Sequence, residues 1–352
     1  MERLQTRNPL GETGLDIPPI IFGTSCLGNL YQALADETKL AIMREWFEWV
    51  EPPVVIDSAG KYGAGLALEV IGNGLRRLGV RPDQIGISNK LGWKRVPLRT
   101  PEPLFEPGAW ADLEHDAEQC ISYDGILECW RQGCELLGSD YAPELVSVHD
   151  PDEYISAAET EKDLRARWED VIGAYRALEA LKQDGSVKGV GVGAKEWTVI
   201  REIAEKVHLD WAMFACGPTI YHHPPELVQF MNDLAADGVG IINSAVFHAG
   251  FLVGGSYFDY RRVDPDDPGD RALFDWRERF FAVCRRFDVA PATACIQFGL
   301  SAPGVVSVSL NTSKPRRVSD NVAAVCAHVP DEFWTALRED ELIDPNYAGL
   351  QE

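Results

Sequence analysis

Long apolar runs, paired cysteines and an excess of positive charge are all missing from this chain, and each absence removes a class of function. No stretch approaches the ~20 consecutive apolar residues a membrane span needs, and the start, MERLQTRNPLGETG, has no apolar core of a secretory signal. Lys and Arg number 33 against 55 Asp and Glu, for a formal charge of -22. A nucleic-acid or anionic-membrane surface needs a cationic face, so neither partner is expected. The acids are scattered along helix-like segments and read as solvated faces. The eight cysteines, Cys26, Cys120, Cys129, Cys134, Cys216, Cys284, Cys295 and Cys326, form no CxxC pair, which argues against a zinc ribbon or a dithiol redox motif. A chain of 352 residues builds its core without disulfides, so they read as reduced, mostly buried, and in keeping with a cytoplasmic protein. Cys26 and Cys216 fall near strand ends and read as core filling.

What is there instead is a repeat of short β-branched runs. They are IIFGTS (20 to 25), VVIDSA (54 to 59), IGISNKLG (85 to 92), LVSVHD (145 to 150), VKGVGVGA (187 to 194), WAMFAC (211 to 216), VGIINSAV (239 to 246) and VVSVSL (305 to 310). Each is continuously apolar rather than alternating, the pattern of a parallel strand buried on both faces. Helical patterns such as DETKLAIMREWFEWV, GLALEVIGNGLRRL, DGILECWRQGCELLG, WEDVIGAYRALEALKQDG and KPRRVSDNVAAVCAHV lie between them. Strand then helix, about eight times, predicts a single-domain α/β chain folded as a (β/α)8 TIM barrel over residues 1–352. A doubly wound open sheet would carry GxGxxG after its first strand, where this chain has GTSCLGN. Residues 1–19, with their GETG turn, are expected to form a hairpin closing the barrel bottom. The long loops after strands three and seven, 93–120 and 250–270, are expected at the active site.

In such a barrel the C-terminal strand ends carry the chemistry. Asp57 ends the second run, Lys90 the third and His149 the fourth, and Tyr62 follows Asp57 in the turn. Alone, each could be a cap, a solvated base or a structural histidine. Together they suit a tuned phenol. Tyrosine exchanges protons poorly at neutral pH, a neighbouring ammonium favours its phenolate, and an aspartate keeps that ammonium charged. A histidine can then hydrogen-bond the substrate oxygen. Nothing resembles a nucleophile elbow, so a nicotinamide cofactor is expected to move the electrons.

These residues resemble the aldo-keto reductase superfamily, whose Asp, Tyr, Lys and His are matched by Asp57 and Tyr62 in VIDSAGKYG, Lys90 in ISNKLG and His149 in LVSVHDPDEY. The resemblance runs from GTSCLG to SLNTSKPRRVSDN, nearly the whole chain. It implies NAD(P) bound in extended form, hydride transfer at the nicotinamide, and Tyr62 as general acid or base. Lys61 is then expected to face solvent. The implied cofactor contacts are Gly23, Thr24 and Asp57, then Ser244, Phe247, Gly250 and Leu252 around the seventh strand, and Asn311, Thr312, Arg317 and Asn321 after the eighth. The lysine usual at Asn311 is missing, which tilts the cofactor toward NAD, while Lys314, Arg316 and Arg317 keep NADP open. Gly193 and Ala194 stand where the family has a Ser-Asn clamp for the carboxamide, and Ser244 where it has a stacking aromatic. These departures resemble the branch of L-fucose, D-threo-aldose and galactose 1-dehydrogenases and pyridoxal 4-dehydrogenase.

The implied activity is oxidation of the C1 hydroxyl of an aldose to a lactone, with a sugar or aldehyde as the small-molecule partner and Tyr62, Trp93 and His149 against it. The loop aromatics Trp93, Phe105 and Trp110 have two readings, a wall for a sugar face with Asp112 or Glu114 taking hydroxyls, or a staple holding the loop to the barrel. NADPH-dependent aldehyde or ketone reduction and pyridoxal oxidation remain alternatives. A metal-dependent barrel hydrolase would draw on His222, His223 and His248 beside His149 and Asp57, but there is no HxH after the first strand and Lys90 would repel a dication, so no metal is expected. A non-catalytic cofactor-binding subunit is the remaining class.

Overall fold

The computed structural model describes residues 2–259 and 261–350; Met1, Gln351, Glu352 and Tyr260, the last inside the 250–270 segment, lie outside the described residues. Eight parallel strands close into a barrel in sequence order: β1 (Ile20–Gly23), β2 (Val54–Ala59), β3 (Ile85–Leu91), β4 (Leu145–His149), β5 (Gly189–Ala194), β6 (Trp211–Ala215), β7 (Gly240–Ser244) and β8 (Val305–Leu310). β2, β3, β4 and β5 are buried at every residue, which is why their sequences show no polar alternation. Helices α1 (Asp36–Trp49), α2 (Leu66–Leu78), α3 (Tyr123–Leu137), α4 (Glu161–Gln183), α5 (Trp197–Ala204), α6 (Pro225–Ala236), α7 (Pro291–Ser301) and α8 (Arg317–Val325) follow successive strands. α4 starts well before its apolar pattern does. Thr160 accepts a hydrogen bond from the Asp163 N–H at 3.1 Å and so caps a first stretch, EKDLRAR, whose charged side chains face outward. Two more helices, Arg271–Phe287 and Asp331–Glu339, join α7 in an outer aromatic core that includes Phe280, Phe298, Phe333 and Trp334.

An N-terminal hairpin pairs Asn8–Pro9 with Asp16–Ile17 beneath the barrel. Its Leu10 and Ile17 pack with Ile21, Val55, Leu145, Trp211, Met213 and Ile242 inside the barrel floor. The GVGVGA run of β5 has a packing reason. A Cβ on Gly191 would lie 2.4 Å from the Trp211 ring and one on Gly193 2.9 Å from Cδ of Lys90, so β5 gives up side chains to a barrel-filling indole and a buried lysine stem. Among the described residues no helix is long and apolar enough to cross a membrane.

The 93–120 segment is more ordered than a loop. Trp93–Pro97 pairs antiparallel with His115–Gln119, and the tip between them folds back on the barrel through Tyr31 N–H to Ala109 C=O at 2.7 Å and Ala111 N–H to Asn29 C=O at 3.0 Å. The 250–270 segment holds a short helical turn, Phe251–Val253, and a two-residue pairing of Tyr257–Phe258 with Arg261–Arg262.

Candidate active site

Strand register brings the candidate residues together. Ala59 of β2 pairs with Lys90 of β3, and Asp57 pairs with Ser88. Lys90 Nζ and an Asp57 oxygen form a buried ion pair, and the other Asp57 oxygen accepts from Ser88 Oγ at 3.0 Å. Asp57, Lys90 and His149 are 2%, 3% and 5% exposed, so the pair is dry and the barrel fixes its geometry. Lys90 Nζ lies 4.9 Å from the centre of the Tyr62 ring, and the His149 ring stands edge-on to Tyr62 at 5.6 Å. The four side chains line one cleft of about 1380 Å³.

Charge in this site runs differently from the sequence-based expectation of a phenol tuned toward phenolate. Burial pushes the Tyr62 hydroxyl well above its ordinary value, Asp57 and Asp150 push it further, and Lys61 opposes them. The ammonium of Lys90 is already matched by Asp57, so its field at the phenol is compensated and desolvation wins. His149 is driven well below its ordinary value by burial and then by Lys90 and Lys61, so its imidazole is neutral. Its Nδ1 is buried without a partner, and its Nε2 is 3.5 Å from Asp150.

Lys61 corrects a second expectation, for it does not face solvent. It is 4% exposed, and its ammonium sits 2.8 Å from Asp150, 2.8 Å from Glu106 and 3.1 Å from Glu153, with the Trp93 ring centre 5.0 Å away. Burial alone would lower its pKa, but the three carboxylates override that and raise it. Lys195 binds Glu153 from the far side at 2.5 Å. Glu106 also accepts from Trp110 Nε1 at 2.7 Å, so Lys61 ties the loop tip to the barrel and sets Trp110 6.0 Å from Tyr62.

The aromatic loop therefore divides between its two readings. Trp110 lines the cleft, whereas Trp93 and Phe105 do not; they pack behind it, 6.0 Å apart, as a staple. Asp112 and Glu114 are likewise off the cleft, where Glu106 stands instead. Gly23, Thr24, Ser244, Phe247, Gly250, Asn311, Thr312, Arg317 and Asn321 all line it. Leu252 does not: it is fully buried in the outer aromatic core, its side chain turned away by the Phe251–Val253 turn. Thr24 Oγ1 donates to the Asp57 carbonyl at 2.9 Å, and Ser244 Oγ to the Phe214 carbonyl at 3.0 Å. Asn311 donates to Ser25 Oγ at 2.8 Å, joining the loops after β8 and β1. Cys26, also on the cleft wall, donates to the Thr312 carbonyl at 3.1 Å.

Sequence reasoning missed Glu106, Asp150, Glu153, Tyr31 and Asp320, all on the cleft. Asp150, directly after His149, and Asp320, between Arg317 and Asn321, stood where a signal existed. The loops after β1 and β7 meet where the rings of Tyr31 and Tyr257 stack at 5.0 Å.

The cleft runs from Tyr62 and His149 to Lys314, Arg317, Asp320 and Asn321 at the N-terminus of α8. A Cβ on Gly23 would come 3.2 Å from Asn311 Cβ, so the walls are trimmed along its course. A helix N-terminus with cationic side chains at one end, and Tyr62, His149 and the Asp57–Lys90 pair at the other, fit an extended dinucleotide. A closed parallel barrel with this mouth is the layout of a cofactor-dependent oxidoreductase. The chain belongs to the aldo/keto reductase family, whose model matches residues 19–341. Family members generally work with NAD(P)H. The chain is 28% identical to a pyridoxal 4-dehydrogenase of Microbacterium luteolum over 349 residues, 96% of this chain and 98% of that one. It is also 28% identical to a D-threo-aldose 1-dehydrogenase of a Pseudomonas species over 344 residues, 94% and 96% of the two chains. In fold it is similar to an aldo-keto reductase of Bacillus halodurans in holo form, with a TM-score of 0.68 at 19% identity, covering 97% of this chain and 98% of that one.

Proposed function

We propose that the protein oxidises the C1 hydroxyl of a neutral cyclic aldose to a lactone with NAD, Tyr62 exchanging the proton. The observation that carries the reading is the substrate end of the cleft. There an indole face, Trp110, stands beside Tyr62, and three carboxylates, Asp150, Glu106 and Glu153, outnumber the two lysines that answer them, Lys61 and Lys195. A sugar ring offers an apolar face to an aromatic and hydroxyls to carboxylates, and this surplus of negative charge rejects a phosphorylated sugar.

When bound, NAD would supply the hydride acceptor for C1, and the residues along the cleft from Gly23 and Ser244 to Arg317 and Asn321 would hold it. Tyr62, protonated in the bare cleft, must reach its phenolate to take the C1 hydroxyl proton. Lys61, the cation that opposes the carboxylates at the phenol, favours that phenolate, and Lys90, 4.9 Å from the ring centre and held by Asp57, fixes the floor beneath it. The neutral His149 imidazole hydrogen-bonds the substrate oxygen and orients it toward Tyr62. In the reverse direction the same Tyr62 proton is given to a carbonyl oxygen.

The cofactor preference rests on Asp320. Arg317, Asp320 and Asn321 share one face of the first turn of α8, and a carboxylate there accepts a ribose 2′-hydroxyl and repels a 2′-phosphate. The relative named D-threo-aldose 1-dehydrogenase supports an aldose substrate. Pyridoxal is the second reading, since its aldehyde and neighbouring hydroxymethyl group close to a cyclic hemiacetal with the same carbon and hydroxyl, and Trp110 offers its ring a stacking face. Eight unpaired cysteines suit the reducing cytoplasm.

The test is a screen of purified protein with NAD and NADP against free aldoses, deoxy sugars, their phosphates and pyridoxal, followed by the near-ultraviolet absorbance of the reduced cofactor. NAD reduction with one family of unphosphorylated aldoses is expected. Consumption of NADPH by simple aldehydes alone would replace this reading with a carbonyl reductase.

A further inference from the structure

A second cluster of reactive side chains lies outside the set just described. Cys216 follows β6 in left-handed backbone, φ 63°, while His248 and Asp259 come from the segment after β7. One ligand atom from each of the three lies within 4.8 Å of the other two. His248 Nδ1 is 2.7 Å from an Asp259 oxygen, and its Nε2 is 2.7 Å from Thr219 Oγ1. The ring is held: it is 2% exposed, stacks on Phe258 at 4.7 Å and meets Tyr221 edge-on at 5.6 Å. Thr219 is held in turn, its hydroxyl oxygen accepting the His222 N–H at 3.0 Å.

We propose that Cys216, His248 and Asp259 bind a divalent cation of the zinc class, with water as a further ligand. The donor chemistry selects that class. Thiolate, imidazole and carboxylate are the three groups zinc takes, whereas magnesium and calcium want oxygen alone. The outer contact fits too, because Thr219 engages Nε2 and leaves Nδ1 directed at the Asp259 and Cys216 side, the arrangement that orients a metal-bound imidazole. Access exists, since the Asp259 side chain is 38% exposed and lines the cleft. On binding, the Cys216 thiol proton passes to solvent, while the imidazole keeps its single ring proton on Nε2, donated to Thr219 Oγ1, so that Nδ1 offers its lone pair to the cation. No electrons move. The bound cation ties Asp259, next to the Tyr257 that stacks on Tyr31, to the end of β6, and so fixes the segment that borders the cleft.

The experiment is a titration of the reduced, cofactor-free protein with cobalt(II), read by absorbance. A single equivalent of cobalt giving thiolate-to-metal charge transfer and the visible bands of four-coordinate cobalt, displaced by zinc, is expected. Cys216→Ser should abolish the charge-transfer band, Asp259→Asn should weaken binding at least tenfold, and Cys326→Ser, at the exposed cysteine, should leave both intact. Absence of a thiolate band, or one that survives Cys216→Ser, overturns the proposal. Should Cys216→Ser fail to fold, Asp259→Asn decides alone, and unchanged affinity and spectrum there overturn it. The readout uses neither cofactor nor sugar, so it stands or falls apart from the dehydrogenase reading.

Discussion

Two lysines are buried at the same end of the barrel, and they are held in opposite ways. Lys90 has one carboxylate, Asp57, on the neighbouring strand, in a register fixed by the barrel itself. Lys61 has three, and none is on a strand. Glu106 sits on the loop tip at φ 44°, Asp150 just after β4 at φ 49°, and Glu153 in the short helix Pro151–Ser156. A one-to-one pair on strands is rigid and nearly neutral, which suits it to hold the floor beneath the phenol without charging it. A one-to-three cluster on loops keeps a negative surplus and positions whatever the loops carry, here Trp110. The same residue type thus anchors a strand pair in one place and a loop tip in the other.

Substitutions can break that comparison. The largest effect belongs to Tyr62, which stands against both clusters: Tyr62→Phe should lower turnover by about 10²–10⁴-fold while cofactor affinity, measured by fluorescence titration, stays the same. Retained turnover would remove Tyr62 from its role.

Next comes the strand pair. Asp57→Asn or Lys90→Met alone leaves an uncompensated buried charge and should cost about 3–5 kcal/mol in chemical denaturation, whereas the double variant should regain most of that stability without regaining activity. If the double variant is as unstable as the singles, the two charges are not coupled.

The loop cluster should respond more gently and in a different parameter. Lys61→Met frees Glu106, and with it Trp110, so KM for the sugar should rise by about tenfold, near 1.4 kcal/mol, with kcat moving less. Glu106→Gln should do the same to a smaller degree. A fall in kcat with unchanged KM would assign Lys61 to the chemistry alone.

The smallest expected effect is a feature missing from a pH profile. His149 is held below its ordinary range, so oxidation should show no step near pH ~6.5, and the rate should climb into the alkaline region because the reactive form of Tyr62 is the deprotonated one and its pKa lies above ~10 in the bare cleft. A descending limb near ~6.5 would mean that the imidazole is charged in the working enzyme.

The barrel was legible because eight apolar runs, buried on both faces, leave a strong mark in a sequence, and the four candidate residues because each ends or follows such a run. Lys61 was misread for the opposite reason. Its partners lie 45 to 92 residues away on loops whose course no local pattern announces. Trp93 and Leu252 look equally plausible as wall residues in the sequence, but whether a side chain turns to the cleft or the core is set by the hairpin at 93–119 and the turn at 251–253. Gly193 is informative only once Lys90 is seen beneath it.

The central claim is that a proton leaves to Tyr62 as a C1 hydride leaves a neutral aldose. It is tested most directly by offering the protein NAD and an aldose carrying deuterium at C1, chosen from the substrate screen, and locating the label by mass spectrometry. The account predicts deuterium in the reduced cofactor, an unlabelled lactone as product, and no transfer by Tyr62→Phe. Deuterium retained on the sugar, or a reduced cofactor without label, would contradict it.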